Sequence, residues 1–305
     1  MKIINLIENT EGAAHCAAEH GLSFYIETKK HTLLLDLGPS DATIQNAQQL
    51  GIDLTKVEMV ILSHGHYDHS DGIPAFVRIN PEAAIYIQAG ADDGYYAENV
   101  GEDGEKSYKY IGIVREIADL PQIVRVEGDY DIDDELHIFT VGRRDLKLPA
   151  SNLSLRMVTK DGAYVRDEFV HEQSLVITED GRDILLAGCA HNGILNILRE
   201  YKRKYGSEPD VVIGGFHLLK DTDYTQEERE EIMGIAAELK TYHTRFFTCH
   251  CTSVPGDELL KAAMGDQLSY VHSGDEVTIK KRVANNERFE EEITGESEAC
   301  GCSEK

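Results

Sequence analysis

The stretch His64-Gly65-His66-Tyr67-Asp68-His69 constrains this chain more than any other. Four metal-capable side chains fall within six residues, directly after the apolar run Val60-Ile61-Leu62. A strand that ends in such a cluster presents its ligands at one edge of a sheet. Alternate residues on an extended segment point the same way, so His64 and His66 converge while Asp68 and His69 reach a neighbouring point. Imidazole with carboxylate suits zinc, and also iron or manganese.

The surrounding pattern is that of an α/β chain. Residues 2–6 read as a first strand and 8–21 as a loop. Residues 23–27 and 32–36 read as two strands about the turn Lys29-Lys30. After the break Gly38-Pro39-Ser40, residues 41–50 read as a helix that Gly51 ends, and 58–62 as the strand that delivers the cluster. The second half repeats this order. Residues 174–178 and 183–187 form a hairpin about Asp180-Gly181, Gly188-Cys189-Ala190-His191 breaks it, and 194–205 is helical to Gly206. Residues 211–213 form a strand that ends at Gly214-Gly215-Phe216-His217. Gly38 then corresponds to Gly188, and His217 falls opposite the His64 cluster, as an internal duplication requires. Between the halves, residues 92–109 are polar, glycine-containing and tyrosine-bearing, and read as a lid or irregular insertion. Residues 123–139 and 154–165 read as further strands, 226–239 as an amphipathic helix, and 245–249 as a strand that ends at His250. One domain is expected over 1–284, with an insertion at about 92–122, followed by an acidic, flexible tail over 285–305.

Composition narrows the function classes. With 305 residues and 41% hydrophobic content the chain can bury a sizeable core. Its formal charge of −25 repels nucleic acid and anionic membranes, so neither is expected as a partner, and a nuclease role is disfavoured. The start, Met1-Lys2-Ile3-Ile4-Asn5, lacks a signal-peptide pattern, and no apolar run reaches the ~20 residues that span a bilayer. The expectation is a cytoplasmic protein whose six cysteines do not form a disulfide framework. Its partner is a small-molecule substrate; self-association is open, with a dimer as one option.

His64, His66, Asp68 and His69 spell H-x-H-x-D-H after a strand, and Asp36-Leu37-Gly38 spells D-x-G upstream. In these the chain resembles the metallo-β-lactamase superfamily. Gly-Leu-Ser-Phe at 21–24, Gly188-Cys189-Ala190-His191, Gly214-Gly215-Phe216-His217-Leu218 and His250-Cys251-Thr252 extend the likeness over most of the chain. Together they are similar to a prokaryotic subgroup of metal-dependent hydrolases, some of which bear the name dihydropterin ribofuranosyl-aminobenzene phosphate synthase. The resemblance implies a four-layer αββα sandwich with two pseudo-symmetric halves and ligands on loops at one edge.

It also implies two divalent metal ions, zinc foremost. His64 and His66 would bind the first, Asp68 and His69 the second. In the second half the pattern has an Asp or a Cys after a strand and a glycine. Cys189 holds that place, with His191 two residues on, and at least one of them is expected as a ligand. Against this, Cys189 reads equally as a small buried hydrophobe and His191 as a support to the ligands. His250 fits the last ligand. His171 is the candidate for a further histidine before the second hairpin, but its spacing to Gly188 is shorter than the pattern. His217 would face substrate as a proton donor or anion holder; a structural or extra ligand histidine is the competing reading. His15 and His20 lie on a loop that can approach the site. Arg143-Arg144, the tyrosines Tyr95, Tyr96 and Tyr108, and Cys300-Gly301-Cys302 read more simply as solvated, packing and idle groups. The function implied is a binuclear hydrolase in which a metal-bridging hydroxide, oriented by Asp68, attacks a small ester, phosphoester or related substrate, pterin- or phosphate-containing by subgroup likeness. The alternatives are a di-iron redox protein and a metal-binding sensor with little turnover.

Overall fold

Leu33, Leu34 and Leu35 show how the layers arise. All three are fully buried, but Leu33 and Leu35 enter the core shared by two sheets while Leu34 packs against helices on the opposite face. Ile184, Leu185 and Leu186 repeat the arrangement in the second half. Strands buried on both faces need continuous apolar runs, which is how both segments read. Each such side chain contributes on the order of 1.5–3 kcal/mol. The result is helix, sheet, sheet, helix in a mixed α/β chain: the four-layer sandwich.

The computed structural model describes residues 1–220, 222–279 and 291–294. Among these, one sheet has eight strands in the spatial order Glu291–Thr294, Glu276–Ile279, Lys2–Ile7, Ser23–Glu27, Thr32–Leu35, Met59–Ile61, Ala84–Gln88, Ile123–Val126. The other has seven, ordered Leu268–Tyr270, Arg245–Thr248, Val211–Gly214, Arg182–Leu186, Ser174–Glu179, Leu136–Phe139, Tyr130–Asp131. In each, a hairpin is followed by a helix and a parallel strand: Leu33–Leu35 runs beside Met59–Ile61, and Ile184–Leu186 beside Val211–Ile213. The helices are Ala42–Gln49 and Ile194–Tyr205. This is the order expected of two related halves.

Parallel strands share a direction, so their C-terminal ends collect at one edge of the sandwich. The loops that follow Met59–Ile61, Arg182–Leu186, Val211–Gly214 and Arg245–Thr248 therefore bring His64–His69, Cys189, His191, His217 and His250 to a common rim, the usual place for a site in α/β sheets.

Two expectations change. The segment 92–109, expected as a lid or an irregular insertion, is regular. Tyr95–Val100 and Lys106–Tyr110 form a hairpin that joins Leu155–Val158 and Tyr164–Arg166 in a four-stranded antiparallel sheet. Cross-strand tyrosines hold it: the rings of Tyr108 and Tyr164 stack at 3.9 Å and those of Tyr96 and Tyr110 meet edge-on at 5.3 Å. Of the acidic tail, Glu291–Thr294 pairs as a strand with Glu276–Ile279; Cys300 and Cys302 lie outside the described residues. Among the described residues no helix is long and apolar enough to cross a membrane.

Candidate metal centre

The cluster is extended only as far as His66 (φ −111°, ψ 148°); Tyr67–Ser70 then forms one helical turn. Gly65 is required between the histidines because a Cβ there would lie 2.0 Å from the Ala91 carbonyl oxygen. Four non-glycine residues around the rim adopt positive φ: Asp36 (61°), Ala190 (56°), His217 (51°) and His250 (49°). Each costs about 1–2 kcal/mol, so the fold concentrates backbone strain at this edge.

Four imidazoles are held alike. His69 donates from Nδ1 to Asp36 Oδ2 at 2.7 Å. His191 Nδ1 lies 2.8 Å from Asn152 Oδ1, and His250 Nδ1 lies 2.8 Å from Asn9 Oδ1. His64 Nδ1 lies 2.8 Å from Ser63 Oγ, whose own hydroxyl donates to Asp36 Oδ2 at 2.7 Å. Occupying Nδ1–H with an oxygen acceptor fixes the tautomer and leaves the Nε2 lone pair for a metal. The four Nε2 atoms converge. Those of His64 and His191 lie 3.2 Å apart, close to the ~3.3 Å chord of two nitrogens bound tetrahedrally at 2.0–2.1 Å. Asp68 Oδ2 is ringed by Nε2 atoms of His250 at 3.4 Å, His20 at 3.5 Å and His69 at 3.6 Å. These exceed good hydrogen bonds and leave room for a cation.

Cys189 links the two sets. Its thiol forms one group with His64 and His191 and another with His69 and His250, and the ligand atoms within each lie within 4.8 Å of one another. The thiol is 3.1 Å from His69 Nε2. Nε2 of His66 and of His250 are buried without a hydrogen-bond partner. Orphaned, buried lone pairs are costly unless something binds them. The donor set therefore fits divalent cations.

Electrostatics agree. Burial first, then the neighbouring imidazoles, holds His64 and His191 well below the ordinary histidine range. Burial and His171 bring His66 to about 3. Neutral imidazole is the form that binds metal. Burial opposes the charge of Asp68, yet His69 and His250 hold its carboxyl well below the usual range. His69 is pushed up, because Asp36 and Asp68 outweigh its burial; a cation competes with that proton. Burial and then the Cys251 thiol push Cys189 up, so its thiolate needs a cation beside it.

The family model for the metallo-beta-lactamase superfamily matches residues 17–151. A crystal structure of Tm1679, described as a metal-dependent hydrolase of the beta-lactamase superfamily, superposes with a TM-score of 0.73 at 26% identity over 92% of this chain and 99% of that one. The chain has the metallo-β-lactamase fold, and its residues 17–151 match that superfamily. An uncharacterized protein of Methanocaldococcus jannaschii is 29% identical over 84% of this chain and 92% of its own. A second protein of that organism, a 7,8-dihydropterin-6-methyl-4-(beta-D-ribofuranosyl)-aminobenzene-5'-phosphate synthase, is 25% identical over 90% and 95%.

On this metallo-β-lactamase scaffold Cys189 and His191 both reach the centre, so neither replaces the other. His171 groups with His66 and Asp167 as a further possible ligand set, but both of its nitrogens are already engaged. Its Nδ1 accepts the Gly65 N–H at 3.0 Å and its Nε2 lies 3.2 Å from Asp167 Oδ2, so it clamps the peptide between His64 and His66. His20 reaches the mouth of the site with 47% of its side chain exposed, whereas His15 is solvated and pairs with Glu11. Arg143 pairs with Asp145, and Arg144 binds Asn192 and Glu168. Tyr95 is a packing residue that donates to the Gly90 carbonyl; Tyr96 and Tyr108 belong to the small sheet. Sequence reasoning missed Asn9, Ser63, Asn152 and Asp167. Ser63 was readable beside His64, but single asparagines in loops carry no signal.

Gly188 allows the two halves to touch here: a Cβ would lie 2.1 Å from Ser63 Oγ. Gly188→Ala is expected to destabilise the fold by about 1–3 kcal/mol and to lower metal content, as read by denaturant melts and elemental analysis. Unchanged values in both would show that the contact relaxes without cost.

Proposed function

We propose that the chain is a metal-dependent hydrolase with two divalent ions, zinc foremost, that cleaves a small ester or phosphoester. The observation that carries this is the set of four imidazoles whose Nδ1 atoms are engaged by Asp36, Ser63, Asn9 and Asn152, all four rings grouped about Cys189, with Nε2 of His69 and of His250 also facing Asp68. His64, His66 and His191 would hold one ion, Asp68, His69 and His250 the other, with Cys189 within reach of both. A thiol among imidazoles favours zinc over iron or manganese. When bound, such ions supply Lewis acidity and lower the pKa of water. Asp68 stays ionised and orients water for attack. Likeness to Tm1679, a metal-dependent hydrolase, supports hydrolysis, and the synthase name of one relative supports a phosphate- or pterin-containing substrate. Buried free thiols at Cys16, Cys189, Cys249 and Cys251 fit a reducing, cytoplasmic setting.

His217 has a changed role in this reading. Burial, followed by His66, brings its pKa to about 3, so the ring is neutral near pH 7 and holds substrate through hydrogen bonds rather than as an imidazolium acid. His217→Ala is expected to keep its metals and lose about 100-fold in turnover. Full turnover with full metal content would remove His217 from the chemistry.

The reading is tested by elemental analysis of protein purified without added metal, with about two equivalents per chain expected, and by a panel of nitrophenyl esters, phosphodiesters and lactones. A metal-replete chain inert on the whole panel would favour the sensor instead.

A further inference from the structure

A cavity of about 660 Å³ opens beside the metal centre, lined by the helices Ile194–Tyr205 and Gln226–Leu239 and by residues from the segment 145–153. His217 forms part of its wall, and the same ring lies 4.0 Å from that of His191. Cavity and metal centre are thus separated by one imidazole.

The wall has little polarity left to offer. Asn196 accepts from the backbone N–H groups of Asp145 and Leu146 and donates to the carbonyls of Leu146 and Asn192. Tyr224 donates to the Leu218 carbonyl at 2.7 Å, and Ser151 is bonded to His217. What remains is apolar: Ile194, Leu195 and Ile232 inside, with Leu146 and Leu153 at 36% and 58% exposure near the rim. The charged lining residues are Asp145, Glu228, Glu231 and Glu238 against Lys147 and Lys220, and Lys220 is already paired with Glu228 at 2.6 Å. An anionic group is repelled, and a heterocycle rich in donors and acceptors finds few partners. A concave, apolar space of this volume matches a small-molecule subsite.

We propose that this cavity is the subsite for an apolar alkyl or aryl arm of the substrate, whose scissile bond lies on the metal side of His217. The proposal rests on the hydrolase reading for the position of that bond, but occupation of the cavity does not. It selects neutral, hydrophobic acyl or leaving groups and places any phosphate or carboxylate toward the metals.

Gly234 gives a way to close the space. It lies within the helix Gln226–Leu239 and lines the cavity, and an added Cβ would meet no atom within 4 Å. Gly234→Phe starts its side chain from a Cβ position with no neighbour within 4 Å, at the cavity wall, and removes a helix glycine, which favours folding; Ala150→Trp on the facing segment is the second variant. Binding of 1-naphthol, a neutral aryl probe, is measured by calorimetry on the chain as purified and after chelation. Rates are measured on nitrophenyl esters from acetate to octanoate. The expected result is probe binding with or without metal, weakened at least about 10-fold in either variant, and a kcat/KM that rises with chain length only in the unsubstituted chain. Probe binding lost in the variants, with no ester cleaved by any of them, supports the subsite and sinks the hydrolase reading. Hydrolysis with no length preference and no probe binding overturns the subsite and leaves the hydrolase. A dimer that Gly234→Phe dissociates, with probe binding unaltered, would assign the cavity to contact between copies and overturn the proposal.

Discussion

Asp36→Ala is expected to weaken the chain's hold on both metals at once. Oδ1 of Asp36 accepts the Ser63 N–H, while Oδ2 accepts both the Ser63 hydroxyl and Nδ1–H of His69, each at 2.7 Å. Through Ser63 it sets His64, assigned to one ion; directly it sets His69, assigned to the other. Losing such a support usually costs 10–100-fold in affinity, and here each ion is expected to weaken by roughly that factor. The fully buried Ser63 N–H would also lose its partner, at about 1–3 kcal/mol. Asp36→Asn separates the two effects, because one amide oxygen cannot replace both carboxylate oxygens. Competition against a chromophoric chelator reads affinity, and melts in EDTA read the fold. Unaltered affinity for both ions would show that the tautomers are set elsewhere.

Chelation has the second large effect. Removing the ions from the unsubstituted chain is expected to lower Tm by on the order of 10–20 °C. A ligand present at a thousandfold excess over its Kd stabilises by about 4 kcal/mol, so two ions contribute about 8 kcal/mol, and each kcal/mol moves Tm by roughly 2 °C in a chain of this size. The stripped site would also keep buried Nε2 atoms of His66 and His250 without partners. Scanning calorimetry before and after EDTA, with metal assayed in both samples, checks this. A stripped chain with unchanged Tm would mean that the ions contribute nothing to the fold. In Asp36→Ala the same treatment should move Tm less, by roughly one to two thirds of that shift.

The halves and the ligand-bearing loops were legible because periodicity and glycine breaks are local. Leu33–Leu35 and Ile184–Leu186 announce strands buried on both faces, and H-x-H-x-D-H announces its own chemistry. The supports were not legible. Asn9 serves His250 and Asn152 serves His191 only because the chain folds back on itself, and nothing in either loop marks an asparagine as such a partner. The use of His171 was not legible for the same reason: its residue type suits a ligand, but the fold brings Gly65 and Asp167 to its two nitrogens. The tyrosine hairpin at 95–110 looked irregular because its stabilising partner strand, Leu155–Val158, lies far along the chain.

The separation of these partners also orders events during synthesis. Asp36 and His69 are 33 residues apart, whereas Asn9 and His250 are 241 apart. The first half of the centre can close once residue 69 has left the ribosome; the second waits for residue 250. At 5–20 residues per second that interval is on the order of 10–40 s. A nascent chain therefore displays His64, His66, Asp68 and His69 before its second-half candidate ligands exist, and an ion taken up in that window would be held without the thiol of Cys189.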